Sequence, residues 1–247
     1  RKIQDTSEGA QSKRTISVDV SRRVVAFIAE HPGVFDGVDV VERSQRSYPL
    51  GSLAAHVIGY TGTVTSAQLE ANDSEATGIT YESGDIVGQS GIESEYESVL
   101  QGVKGEQTVY VDANGNVLDT STTIDPQSGS DVILTIDATI QTAAEQSLAT
   151  RMKEIQESGY NATGACVVCV DCTNGEVLAM ASAPTYNPNV FVGGISTADW
   201  DALSSETANY PLMNRAIAGQ YPSGSTIKAL TSFAALDHGI ADTSSSW

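Results

Sequence analysis

Apolar and polar positions alternate over short distances, so the chain reads as many brief elements with few long ones. Over Arg22–Glu30 (RRVVAFIAE) the apolar residues fall at helical spacing, and His31-Pro32-Gly33 ends the run. Residues 1–20 offer few apolar anchors and predict a frayed start. Residues 38–42 read as a strand, and residues 52–58 as an apolar, helix-like stretch before Gly59 and Tyr60. Thr65 with Gln68 three positions later is a capping-box pattern that opens a short helix. Residues 93–101 predict another helix. Residues 107–112 and 117–120 flank Asn114-Gly115, a pair that tolerates positive φ, and so predict a β-hairpin.

The polar, turn-rich stretch from Ile124 to Ser130 divides the chain, giving expected domains 1–125 and 126–247. Beyond it, residues 132–136 predict a strand. Asp137 caps a helix with one apolar stripe at Ile140, Ala144, Leu148, Met152 and Ile155, stopped by Gly159. Ala165–Val170 (ACVVCV) is apolar on both faces, as a central strand covered on two sides would be. Asn174-Gly175 turns it into a partner strand over residues 176–181. Ser196 caps a short helix through Trp200 and Leu203. A last helix is expected from Ser225 to His238, with Ile227, Leu230, Phe233 (or Ala234) and Leu236 along one side and Gly239 as its C-cap.

Charge narrows the function. Asp and Glu number 31 against 13 Lys and Arg, a formal net charge of -18. A nucleic-acid binder needs a basic face for phosphates, so that class is excluded. No run reaches the roughly 18 apolar residues of a membrane span. The three cysteines, Cys166, Cys169 and Cys172, sit close together and read as buried strand thiols, because the three histidines are too far away in sequence to complete a metal site. His56 lies in an apolar stretch and reads as a satisfied buried histidine. Arg46 and Glu93 read as structural ion-pair or capping residues. Asn161-Ala162-Thr163 has the letters of a glycosylation site and no further support.

One pattern carries chemistry. In Ser225-Thr226-Ile227-Lys228 a hydroxyl and an amine stand one helical turn apart on the same face. A serine nucleophile needs a base, and a neutral lysine can serve. An ordinary lysine is neutral less than about 0.1% of the time at neutral pH, so the fold must supply about 4 kcal/mol, through desolvation and a helix N-terminus, to favour the free amine. Alone, the pattern recurs by chance, and a capping serine beside an exposed lysine explains it better.

The surroundings add weight. Asn214-Arg215-Ala216-Ile217 and Tyr221-Pro222-Ser223-Gly224 lead directly into Ser225. This stretch resembles the active-serine region of class B penicillin-binding proteins, where an Asn-Arg-Ala segment precedes Tyr-Pro-Pro-Gly-Ser-Thr-Phe-Lys. Residues 46–60 (RSYPLGSLAAHVIGY), 88–96 (GQSGIESEY) and 102–105 (GVKG) are similar to that family's pedestal blocks. Residues 132–141 (VILTIDATIQ) are similar to the entry of its penicillin-binding domain, and 174–180 (NGEVLAM) and 184–191 (PTYNPNVF) to that domain's first hairpin and following loop, in the same order. The resemblance runs from about Arg22 to His238. Ser223 and Ile227 depart from it, at positions whose side chains do no chemistry.

The resemblance implies an α+β fold: a pedestal (dimerisation) domain, then the N-terminal part of a penicillin-binding transpeptidase domain, an antiparallel sheet flanked by helices. It implies a cofactor-free peptidoglycan D,D-transpeptidase of cell-wall synthesis. Ser225 would be the nucleophile on the D-Ala-D-Ala bond of stem peptides and Lys228 its proton acceptor, with β-lactams acylating the same serine. Such proteins sit at the cell membrane, facing outward on one N-terminal anchor, and meet other cell-wall synthesis proteins; a homodimer is a further expectation. The family's later Ser-x-Asn and Lys-Thr-Gly-type motifs are not present in the 247 residues, so the chain is expected to be an incomplete, poorly acylated piece with exposed sheet edges. A non-catalytic scaffold of the same machinery is the alternative. The pedestal blocks count against a third reading, a β-lactam sensor.

Overall fold

In the computed structural model, which describes residues 16–17, 20–38, 40–41, 44–71, 79–112 and 117–245, the first element is helix α1 (Arg22–Glu30). It belongs to the smaller of two units, Arg1–Gln45. Phe27 stacks against His31 with ring centres 4.3 Å apart and meets Phe35 edge-on at 5.9 Å, while His31 Nδ1 donates to the Phe27 carbonyl at 2.8 Å. The strand expected over residues 38–42 is not seen at Val38, Val40 or Val41; Asp39 and Glu42 lie outside the described residues. Most of residues 1–20 lies outside them too.

The larger unit, Arg46–Trp247, carries everything else. The helix expected over residues 52–58 shortens to α2 (Ala55–Ile58), because Ala54 takes a left-handed φ of 53° that cannot continue a helix. Gly59, at φ 83°, runs so close to Ser90 that a Cβ would lie 1.8 Å from the Ser90 carbonyl oxygen, so no other residue fits. β1 (Thr61–Thr63) pairs antiparallel with β2 (Ile86–Gly88). α3 (Ser66–Ala71) opens on the expected reciprocal cap: Thr65 N–H donates to Gln68 Oε1 at 2.9 Å, and Gln68 N–H to Thr65 Oγ1 at 3.2 Å. The helix expected over residues 93–101 divides into α4 (Gly91–Glu95) and α5 (Glu97–Leu100), since Tyr96 at φ -105°, ψ 22° leaves the helical region. β3 (Glu106–Val111) and β4 (Val117–Ile124) form the expected antiparallel pair; its Asn114-Gly115 turn lies outside the described residues.

Residues 132–136 form no strand. Thr135 Oγ1 donates to the Val177 carbonyl at 2.7 Å and, just past the segment, Asp137 N–H to the Leu178 carbonyl at 2.9 Å, which is too little for a ladder, and Ile133 is 94% exposed. Asp137 does cap α6 (Ala138–Glu157), accepting from the Thr139 and Ile140 amides. The expected stripe holds at Ala144, Leu148, Met152 and Ile155, all half-buried, but Ile140 is exposed and the fully buried side chain is polar: Gln141.

β5 (Ala165–Val170) and β6 (Val177–Ala183) pair antiparallel from Ala165 opposite Ala183 to Val170 opposite Val177, with a bulge after Cys169. The expectation of a strand covered on two faces fails for β5. α6 packs mainly on β6, the pair is a sheet of two strands, and Val167, Val168 and Val170 stand exposed. For the same reason Cys166 and Cys172 are exposed and only Cys169 is half-buried, which corrects the buried-thiol reading.

The chain then runs through a 3-10 turn (Pro188–Phe191), α7 (Thr197–Ser204) capped by Ser196, a second 3-10 turn (Glu206–Ala208), α8 (Arg215–Ala218), a third 3-10 turn (Gly224–Ile227) and α9 (Lys228–Asp237). The last helix therefore starts three residues later than its apolar spacing suggested, and Gly239 at φ 66° ends it. The core gathers Ala55, Tyr186 and Phe191, with Tyr60, Ile195, Leu203 and Leu212 against it. The Tyr60 and Phe191 rings stack 3.6 Å apart, and Tyr186 meets both edge-on. This is the expected α+β mixture, built among the described residues from three small antiparallel pairs, one long helix and several short ones. Among the described residues no helix is long and apolar enough to cross a membrane.

Candidate active site

Two regions bear on the chemistry, one buried and polar, the other open. The buried one lies where α2, β6 and α8 meet. His56 is 8% exposed and its Nε2 donates to the Pro211 carbonyl at 2.7 Å, so it is the satisfied buried histidine its sequence setting predicted. Burial holds it below the usual histidine range; the Pro211 contact and Glu145 oppose that shift, and Arg215 reinforces it. Tyr186 Oη donates to the Ala55 carbonyl at 3.0 Å, and burial pushes its phenol up to about 12, so it stays a donor throughout the physiological range.

Gln141 and Glu145 tie α6 to both neighbours. Gln141 donates to the Met180 carbonyl at 3.1 Å and accepts the Met180 N–H at 2.8 Å, matching the open backbone groups of β6. Its Nε2 also reaches Glu145 Oε1 at 2.7 Å, the oxygen that accepts the Ala54 N–H at 2.8 Å. The left-handed turn at Ala54 is thus stabilised by a carboxylate 91 residues further along the chain. The Arg46–Glu93 pair expected from sequence forms at 2.5 Å, with Glu93 buried. Burial works against the Arg46 charge, but the Glu93 carboxylate outweighs it and raises the guanidinium further.

Arg215 is 7% exposed, and its guanidinium donates to the Tyr210 carbonyl at 3.3 Å and to the Asn209 carbonyl. Gly164 makes room for it: a Cβ there would lie 2.3 Å from Arg215 Nε. In the sequence Asn214-Arg215 stands only as part of a resemblance, with no physical task visible for either residue. A polar pair before a four-residue helix carries little signal until its partners on β6 and α2 are known.

The open region holds the two residues singled out for chemistry. Ser225 lies in the 3-10 turn Gly224–Ile227, and Lys228 is the first residue of α9. Lys228 follows Ser225 by three residues, across the junction of the turn and the helix. Both are exposed, and among the described residues neither side chain has a hydrogen-bond partner. The dry surroundings expected around the lysine are therefore not provided by the elements described. Leu230 and Phe233, on the next turns of α9, are 67% and 75% exposed. The arrangement has the order of groups that nucleophilic catalysis needs, a hydroxyl and an amine at a helix start, with a bare apolar helix beside it.

A family model described as the penicillin-binding protein dimerisation domain matches residues 1–134, and one described as the penicillin binding protein transpeptidase domain matches residues 165–246. The chain is 36% identical over 227 residues to the peptidoglycan D,D-transpeptidase MrdA of Acinetobacter baumannii, across 92% of this chain and 31% of that protein. Among solved structures it resembles PBP2 of Helicobacter pylori in complex with MreC (30% identity, TM-score 0.66, 92% of this chain, 39% of that one). It also resembles Pseudomonas aeruginosa PBP2 in complex with WCK 5153 (34% identity, TM-score 0.58, 84% of this chain, 38% of that one). The chain spans about a third of the length of the curated relatives it matches.

Proposed function

We propose, because the chain belongs to the penicillin-binding protein family, that it is part of a serine D,D-transpeptidase that cross-links peptidoglycan at the outer face of the cell membrane. Residues 1–125 are read as the pedestal and residues 126–247 as the first part of the transpeptidase domain. One observation supports the reading: Ser225 lies in the turn that leads into α9 and Lys228 is the first residue of that helix, inside the segment matched by the transpeptidase domain. In this reading the Ser225 hydroxyl gives its proton to the Lys228 amine and attacks the carbonyl between two terminal D-alanines. The terminal D-alanine leaves with a proton, and an ester to Ser225 remains. The amine of a neighbouring stem peptide then attacks that ester, forms the cross-link and returns the serine. A β-lactam enters by the same attack and stays as the acyl group. Other cell-wall synthesis proteins are its partners, as MreC is for the Helicobacter pylori relative.

The exposure of both residues favours a second reading, in which the chain serves as a scaffold and the serine is idle. Mass spectrometry of the full-length protein after incubation with penicillin decides between them. Acylation of Ser225 is expected, whereas modification elsewhere, or none, rejects the enzymatic reading. The 247-residue chain alone should react far more slowly, since losing oxyanion donors costs about 10²–10³ in rate.

A further inference from the structure

Asn214 stands at a knot of hydrogen bonds that joins the pedestal side to the segment carrying Ser225. Its Oδ1 caps α8, accepting the Ala216 N–H at 3.2 Å. Its Nδ2 donates to the His56 carbonyl at 3.3 Å and faces Met180 Sδ at 3.7 Å. Ser182 Oγ, on β6, donates to Asn214 Oδ1 at 3.4 Å and accepts the Arg215 N–H at 3.0 Å. From α2 the His56 ring donates to the Pro211 carbonyl, so one residue grips the chain on both sides of Leu212 and Met213. Past α8, Gly219 lies against the Tyr221 ring, where a Cβ would come within 2.5 Å, so the chain folds back on α8 before the Ser225 turn.

A helix of four residues cannot hold its own direction in water. The bearing of α8, and with it the take-off of the segment leading to Ser225, is set by α2 and β6 together. We propose that Asn214 and His56 are positioning residues for Ser225, through which the pedestal segment around α2 fixes where the nucleophile stands. The proposal rests on the reading of Ser225 as nucleophile.

The test is acylation of the full-length protein by a fluorescent penicillin. The chemical step and the non-covalent affinity are measured separately, each variant is melted, and the labelled residue is identified by mass spectrometry. Asn214→Asp keeps an oxygen to cap α8 and loses the donor to His56. Its chemical step should slow by about 10²-fold, the scale of a misplacement of roughly 1 Å, while the affinity for penicillin holds. A wild-type rate on Ser225 in this variant overturns the proposal and leaves the nucleophile assignment standing. Label on another residue of the wild-type protein removes both. If Asn214→Asp does not fold, His56→Leu and His56→Gln carry the test, because glutamine can still donate to the Pro211 carbonyl and leucine cannot. Glutamine should retain the rate that leucine loses, and equal rates in the two sink the proposal.

Discussion

The Arg215 side of the chain and the Ser225 side are close in sequence and opposite in construction. Around Arg215, buried polar groups each find partners: the guanidinium on two carbonyls, Asn214 between His56 and Ser182, Gln141 across Met180. Around Ser225 the side chains that matter have no partner among the described residues, and the apolar face of α9 meets solvent. A buried polar network tolerates no loss, because each group left unpaired keeps its desolvation cost. An exposed side chain loses little when it is removed. Substitutions on the first side should therefore act on stability and, through the bearing of α8, on where Ser225 stands, whereas those on the second should act on chemistry alone.

The largest effect should come from Lys228→Ala in the full-length protein. Loss of the proton acceptor should slow acylation of Ser225 by about 10²–10⁴-fold, the range for removing a general base, with the melting temperature unmoved. A parallel fall in melting temperature would erase the contrast between the two regions. Arg215→Ala should do the reverse within the 247-residue chain. Two carbonyls lose a charged donor and a buried space opens, so urea unfolding should report a loss of about 2–3 kcal/mol.

Acid should find the same weak point more gently. Burial depresses the His56 imidazole, with Arg215 facing it on the unfavourable side and Glu145 on the favourable side. Its folded value lies below the unfolded value of about 6.5, so its contribution to stability is fully present above that pH, is lost as pH falls toward the folded value, and then levels off. Melting curves between roughly pH 7 and pH 5 should be steeper in pH for the wild type than for His56→Gln. Equal slopes would remove His56 as the source. The smallest effect belongs to Phe233→Ser. With the ring 75% exposed, the stability of this chain should change by less than about 0.5 kcal/mol. A large loss would mean that the α9 face is already covered, for instance by a second copy of the chain.

Much of this was legible in single residues. The caps at Thr65, Asp137 and Ser196 were readable because a side-chain oxygen three or fewer positions before its amide needs only local geometry. The β5–β6 hairpin followed from Asn174-Gly175 between apolar runs, and His56 from its apolar flanks. Other elements went differently where long-range contact decides. Residues 132–136 have the letters of a strand but no ladder to join. α4 and α5 part at Tyr96 although their letters continue one helix. β5 is apolar on both faces yet lacks a cover for one of them.

The sequence by itself determined the local devices: the caps, the turns, the apolar stripe of α6 and the three-residue spacing of Ser225 and Lys228. These depend on neighbours within a few residues, so the chain carries them wherever it goes. Only the tertiary structure decided which polar side chains matter. Gln141 sits in a helical stripe like any glutamine until Met180 of β6 arrives opposite it, and Asn214 is an ordinary cap until the His56 carbonyl comes within 3.3 Å. A buried hydrogen bond gains its weight from the exclusion of water, and water is excluded by residues far away in the chain.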